Sequence, residues 1–65
     1  MNKTEIKVLR LKRKLTQKQL AELIGVSYNA VSCWELGKRK PPVTKFSAIA
    51  KALKVSETKI FECFK

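Results

Sequence analysis

The chain reads as an all-α fold of five short helices, and three observations predict it. Helix-start chemistry recurs along the sequence, at Thr16, Ser27 and Ser56. Apolar residues repeat at three- and four-residue spacing. Glycine and proline stand only at Gly25, Gly37 and Pro41-Pro42, as punctuation between helical stretches. No segment alternates with the period of two that a half-buried strand requires.

The first helix is expected over residues 4–14, with Ile6 and Leu9 turned inward and either Asn2 or Thr4 as its cap. The second, over 17–24, opens on a capping box: the Thr16 hydroxyl and the Gln19 side chain each satisfy an amide that helix geometry leaves unpaired. Leu15 and Leu20 stand at staple spacing around that cap, and Leu20, Ala21 and Ile24 form the inward face. Gly25 ends the helix because it takes a positive φ without a Cβ clash. Ser27 then caps a third helix over 28–36, with Val26 and Val31 as its staple and Val31 and Trp34 inward. Pro42 suits the first turn of a fourth helix over 43–53, since its missing N–H is unneeded there. Phe46, Ile49, Ala50 and Leu53 face inward on it. Ser56, flanked by Val55 and Ile60, starts a fifth over 57–63, with Ile60 and Phe61 inward and Phe64 a further candidate.

Sixty-five residues suit a single domain, 1–65, with one small core. There is no histidine and there are only five carboxylates, so acid–base and metal chemistry lack raw material; no enzyme activity, metal or cofactor is expected. Cys33 and Cys63 are too far apart for a metal pair and read as reduced cytosolic thiols, which points to a cytoplasmic protein. No apolar run reaches the roughly 18 residues of a membrane span, and the N-terminus carries no secretory leader pattern. Fifteen Lys and Arg against five Glu leave a net charge of +10, which calls for a polyanionic partner: nucleic acid, anionic membrane or an acidic protein. A membrane-surface helix would account for Lys12, Arg13 and Lys14, but not for Gly25, Trp34 or the capping signals beyond them.

The informative segment is 17–35, a short helix, a three-residue turn at Gly25-Val26-Ser27, and a second helix. Together with Leu9-Arg10, Leu15-Thr16-Gln17, Leu20-Ala21, Ile24-Gly25-Val26-Ser27, Val31, Trp34-Glu35, Gly37, Pro41, Phe46, Ile49-Ala50, Leu53 and Val55-Ser56, it resembles the Cro/CI-type helix-turn-helix regulators of phages, plasmids and restriction systems. The resemblance runs without a gap from about residue 6 to 61, and the in-register Gly37-Lys38-Arg39-Lys40-Pro41 and Ile49-Ala50-Lys51-Ala52-Leu53 make it far more specific than a bare helix-turn-helix.

The resemblance implies a compact five-helix, lambda-repressor-like domain that binds double-stranded DNA, with the third helix in the major groove. Ser27, Tyr28, Asn29, Ser32 and Cys33 match the family's base-facing positions, opposite Val31 and Trp34. Asn29 suits adenine N6 and N7, Tyr28 a thymine methyl or a phosphate, and Cys33 a small apolar contact. Thr16 and Gln17 match a phosphate site at a helix N-terminus, and Lys38, Arg39 and Lys40 a backbone-gripping loop. Arg10 and Glu35 match a structural charge pair that can also direct Arg10 to a phosphate. The family usually acts as a homodimer on a pseudo-palindromic operator, commonly as a repressor; Val8, Leu11 and Phe64 are candidates for the interface, with the fifth helix the favoured surface. An antitoxin or protein-binding adaptor on the same fold is the alternative. The chain departs from the pattern at Lys14 and Lys54, where relatives often have glycine after a helix; a left-handed lysine would cost about 1 kcal/mol.

Overall fold

The computed structural model describes residues 5–64. The helices are α1 (Glu5–Lys12), α2 (Gln17–Ile24), α3 (Tyr28–Leu36), α4 (Phe46–Leu53) and α5 (Glu57–Cys63), with a single 3-10 turn (Val43–Lys45) leading into α4. Among the described residues there is no strand. The expected cap of the first helix at Asn2 or Thr4 lies outside the described residues.

Side-chain caps start three helices where the sequence places them. The Thr16 hydroxyl accepts from the Gln19 amide at 3.0 Å, and the Thr16 amide donates to the Gln19 side chain at 2.9 Å. The Ser27 and Ser56 hydroxyls accept from the amides of Ala30 and Lys59. Each cap contributes about 1 kcal/mol. The fourth helix is shorter than expected. Pro42 is extended at φ −65°, ψ 148° and lacks a capping side chain, so the chain winds first through the tighter 3-10 turn.

Four helices end in one way. The amides of Leu15, Val26, Lys38 and Val55 each reach back five residues, to the carbonyls of Arg10, Ala21, Cys33 and Ala50, which is the Schellman closure. It demands a left-handed residue just before each of those amides. Two of them are Gly25 and Gly37, at φ 82° and 78°; the other two are Lys14 and Lys54, at φ 57° and 58°. The left-handed Lys14 stops α1 at Lys12, short of the expected end at 14. Each left-handed lysine costs about 1–2 kcal/mol. A cation near a helix C-terminus returns about 0.3–1 kcal/mol, which is less than the strain.

The core joins Ile6 of α1; Leu20, Ala21 and Ile24 of α2; Val31 and Trp34 of α3; Phe46, Ile49, Ala50 and Leu53 of α4; and Ile60, Cys63 and Phe64 at the C-terminal end. A fully buried Ile or Leu contributes about 1.5–3 kcal/mol. Leu9, Leu15, Val26 and Val55 pack against the edge of this core. Burial pushes the Cys63 thiol above its ordinary pKa. Lys59 pairs with Glu5 and ties α5 to α1; the hydrogen bond to that carboxylate raises the Lys59 ammonium pKa.

One aromatic residue differs from the sequence reading. Phe61, expected inward, is 57% exposed, while Phe64, a candidate for both the core and an interface, is 5% exposed and belongs to the core. The helical period explains both: Ile60, Cys63 and Phe64 lie three and four residues apart on one face, and Phe61 lies about 100° around the axis from Ile60. Phe64 packs tilted against Phe46 at 6.4 Å between ring centroids, and Phe61 meets the same ring edge-on at 6.3 Å from the surface side.

Candidate nucleic-acid interface

The turn Gly25-Val26-Ser27 sets α3 against α2 and leaves one stripe of α3 outside. Val31 is fully buried and Trp34 nearly so. On the other side Tyr28 is 54% exposed, Asn29 is exposed, and Ser32 and Cys33 are half-buried. Tyr28 and Ser32, like Asn29 and Cys33, are four residues apart and therefore neighbours along the stripe. Ser27 is exposed beside them, but its oxygen already caps the helix through the Ala30 amide at 3.2 Å. Its hydroxyl proton remains free to donate, which makes Ser27 part cap and part surface group.

An open hollow of about 300 Å³ lies along this stripe, and Asn29, Cys33, Arg39, Lys40 and Lys45 are among its walls. The cations reach it because the chain doubles back after Gly37. The amides of Lys38 and Arg39 both donate to the Cys33 carbonyl, at 3.0 and 3.4 Å, and this fold-back brings Arg39 and Lys40 beside α3. Lys38 is exposed but does not line the hollow. Lys45 does, although the sequence reading did not single it out. Its signal was faint: it lies three residues past Pro42, and only the 3-10 turn swings it back toward α3.

Thr16 and Gln17 stand at the start of α2, where free amides favour an anion. Thr16 is exposed. The Gln17 side chain is half-buried and donates to Glu35 Oε1 at 2.9 Å. Glu35 is the hub of this region. Its carboxylate receives Arg10 Nε on Oε2 at 2.7 Å and Arg10 Nη2 on Oε1 at 3.1 Å, while Arg10 Nη1 donates to the Leu15 carbonyl at 2.8 Å. This corrects the expectation that Arg10 reaches a phosphate. With its fork engaged on three sides and only 6% of its surface exposed, Arg10 acts as a clasp that holds the α1–α2 turn and, through Glu35, the Gln17 side chain. Among the described residues no buried side-chain nitrogen or oxygen lacks a partner, so this ion pair is satisfied throughout.

The geometry provides no group of His, Cys, Asp and Glu able to hold a metal among the described residues. Nor, among them, is any helix long and apolar enough to cross a membrane. The exposed stripe and its flanking cations suit contact with a polyanion.

No curated protein matches the chain. A family model described as helix-turn-helix matches residues 6–60, which takes in α2, α3, the loop of Lys38 to Lys40 and most of the surrounding scaffold. The chain therefore belongs to the helix-turn-helix family of the Cro/CI type, a family of DNA-binding regulators.

Proposed function

We propose that the protein is a repressor that binds a pseudo-palindromic operator as a homodimer, with α3 in the major groove of each half-site. The carrying observation is the exposed tip of α3: Tyr28 and Asn29 are exposed just after the turn, and Asn29 lines the hollow with the cations Arg39, Lys40 and Lys45. The start of a recognition helix is the part that meets base edges. In this reading Asn29 holds an adenine, and Tyr28, Ser32 and Cys33 contact neighbouring base edges, with Ser27 donating at the margin. Arg39, Lys40 and Lys45 grip phosphates on one side of the groove. Thr16 and the amide end of α2 at Gln17 grip them on the other, and Lys38 adds charge to the loop.

One such module reads few base pairs, so specific binding calls for two copies about 34 Å apart along the duplex. The surface that best suits the second copy is α5 with the 3-10 turn. There Phe61 and Val43, the latter 74% exposed, flank a shallow apolar hollow with Thr58 and Glu57 on its rim. Phe64 contributes from beneath, by supporting Phe46, and not by contact across the interface.

Selection of bound sites from random DNA tests this reading, since it reports half-site, spacing and symmetry together. A two-fold symmetric site is expected. On that site Asn29→Ala loses about 1–3 kcal/mol and relaxes preference at one base position. Lys40→Ala weakens all sequences alike and flattens the salt slope by about one for each protomer bound, about two for the dimer. Recovery of no preferred sequence would remove the operator reading and favour an adaptor on the same fold.

A further inference from the structure

The left-handed lysines meet at one corner of the molecule. Arg13 Nε donates to the Leu53 carbonyl at 3.2 Å, so the end of α1 is fastened to the end of α4. Lys14 follows Arg13 in the chain and Lys54 follows Leu53, so each lysine is the chain neighbour of one partner in that bond. Lys12 and Lys51 stand one short step back on the same helices. Lys12, Arg13, Lys14, Lys51 and Lys54 are all exposed. The ion pairs among the described residues are Arg10–Glu35 and Lys59–Glu5, and neither involves this corner.

Complementing helix dipoles does not account for the two lysines. The favourable end-charge is smaller than the strain of a left-handed Cβ, and glycine would close the same helix ends without strain. A strained residue that persists where an unstrained one would serve points to a use for its side chain. Lys14 also lies two residues before Thr16, the cap of α2, so along the chain the corner adjoins the proposed phosphate site at the start of that helix.

We propose that Arg13, Lys14 and Lys54 form a second phosphate-binding surface, which grips the DNA backbone outside the bases that α3 reads. It rests on the DNA-binding reading above and extends it. The corner carries charge without base-reading chemistry, so it adds affinity and salt dependence and leaves sequence preference alone.

The test uses the full chain and its variant with Lys14→Gly and Lys54→Gly together, on a selected-site duplex of about 30 base pairs. Glycine relieves the strain, so the variant is expected to melt at a higher temperature than the parent. Its affinity is expected to fall on the order of ten-fold per lost lysine–phosphate contact at 0.1 M salt, with the slope of log K against log salt shallower by about two for each protomer bound and so by about four for the dimer. Preference among operator variants stays as in the parent. Weaker binding by a protein that is more stable cannot be ascribed to unfolding. If the parent binds the duplex and the variant matches it in affinity and slope, the corner is not a DNA contact, and the α3 reading stands. If the parent itself shows no salt-dependent binding to the duplex, both readings fall. A variant that changes its preferred sequence also overturns the assignment, since a phosphate contact carries no base information.

Discussion

Helices α2 and α3 end on glycine, and α1 and α4 end on lysine, yet all four close with the same five-residue return bond. The comparison separates two demands that a glycine usually meets together. One is a positive φ; the other is room for a neighbour. At Gly25 an added Cβ would find nothing within 4 Å, so this glycine serves φ alone. The lysine ends show that the backbone motif tolerates a side chain at a cost of about 1–2 kcal/mol. What distinguishes the two pairs is their place. Gly25 and Gly37 bracket the helix that faces the DNA in the proposed reading, and Lys14 and Lys54 bracket the corner where the scaffold helices α1 and α4 meet.

The clasp of Arg10 and Glu35 joins a lysine-ended helix to a glycine-ended one, so breaking it should have the largest effect. Glu35→Ala leaves a buried guanidinium without its carboxylate and should cost about 3–5 kcal/mol, measured by urea unfolding. A loss below about 1 kcal/mol would mean that the two pairs of helices are held independently of this clasp. Converting one kind of end into the other comes next. Gly25→Lys should cost about 1–2 kcal/mol, because only backbone strain is added. For a chain of this size that lowers the melting temperature by about 4–8 °C per kcal/mol. A much larger drop would show that space matters at this end after all. The smallest effect is expected at the lysine corner itself. Arg13→Gln removes one part-buried charge-assisted bond and should cost about 1 kcal/mol or less, since the glutamine amide can still reach the carbonyl. Its mark is local: amide exchange should quicken at Lys54 and Val55 and stay unchanged at Lys38. Equal quickening at Lys38 would blur the distinction between the two pairs.

Much of the architecture was legible because it is encoded over three to five residues. Thr16 with Gln19, and Ser27 and Ser56 alone, announce helix starts through side-chain oxygens that must find nearby amides. The apolar spacing in α2 and α4 marks the faces that become buried. The candidate interface was legible in part. Tyr28 and Asn29 follow a cap and oppose Val31 and Trp34, which places them outside. The Arg10–Glu35 pair, twenty-five residues apart, came only through the family resemblance, and the added expectation of an Arg10–phosphate contact fails because the Leu15 carbonyl takes the rest of the fork. Lys45 went unnoticed because its position depends on the 3-10 turn after Pro42.

Local chemistry along the chain settled where the helices begin, which faces they bury and how much positive charge the molecule carries, since each depends on neighbours within a turn or two. The packed structure alone decided that Glu35 also gathers Gln17, that Lys45 lines the hollow beside α3, and that Arg13 reaches the end of α4 between two strained lysines. Those outcomes rest on contacts between residues distant in sequence, where helix length and crossing select among arrangements that the chain's local signals leave equal.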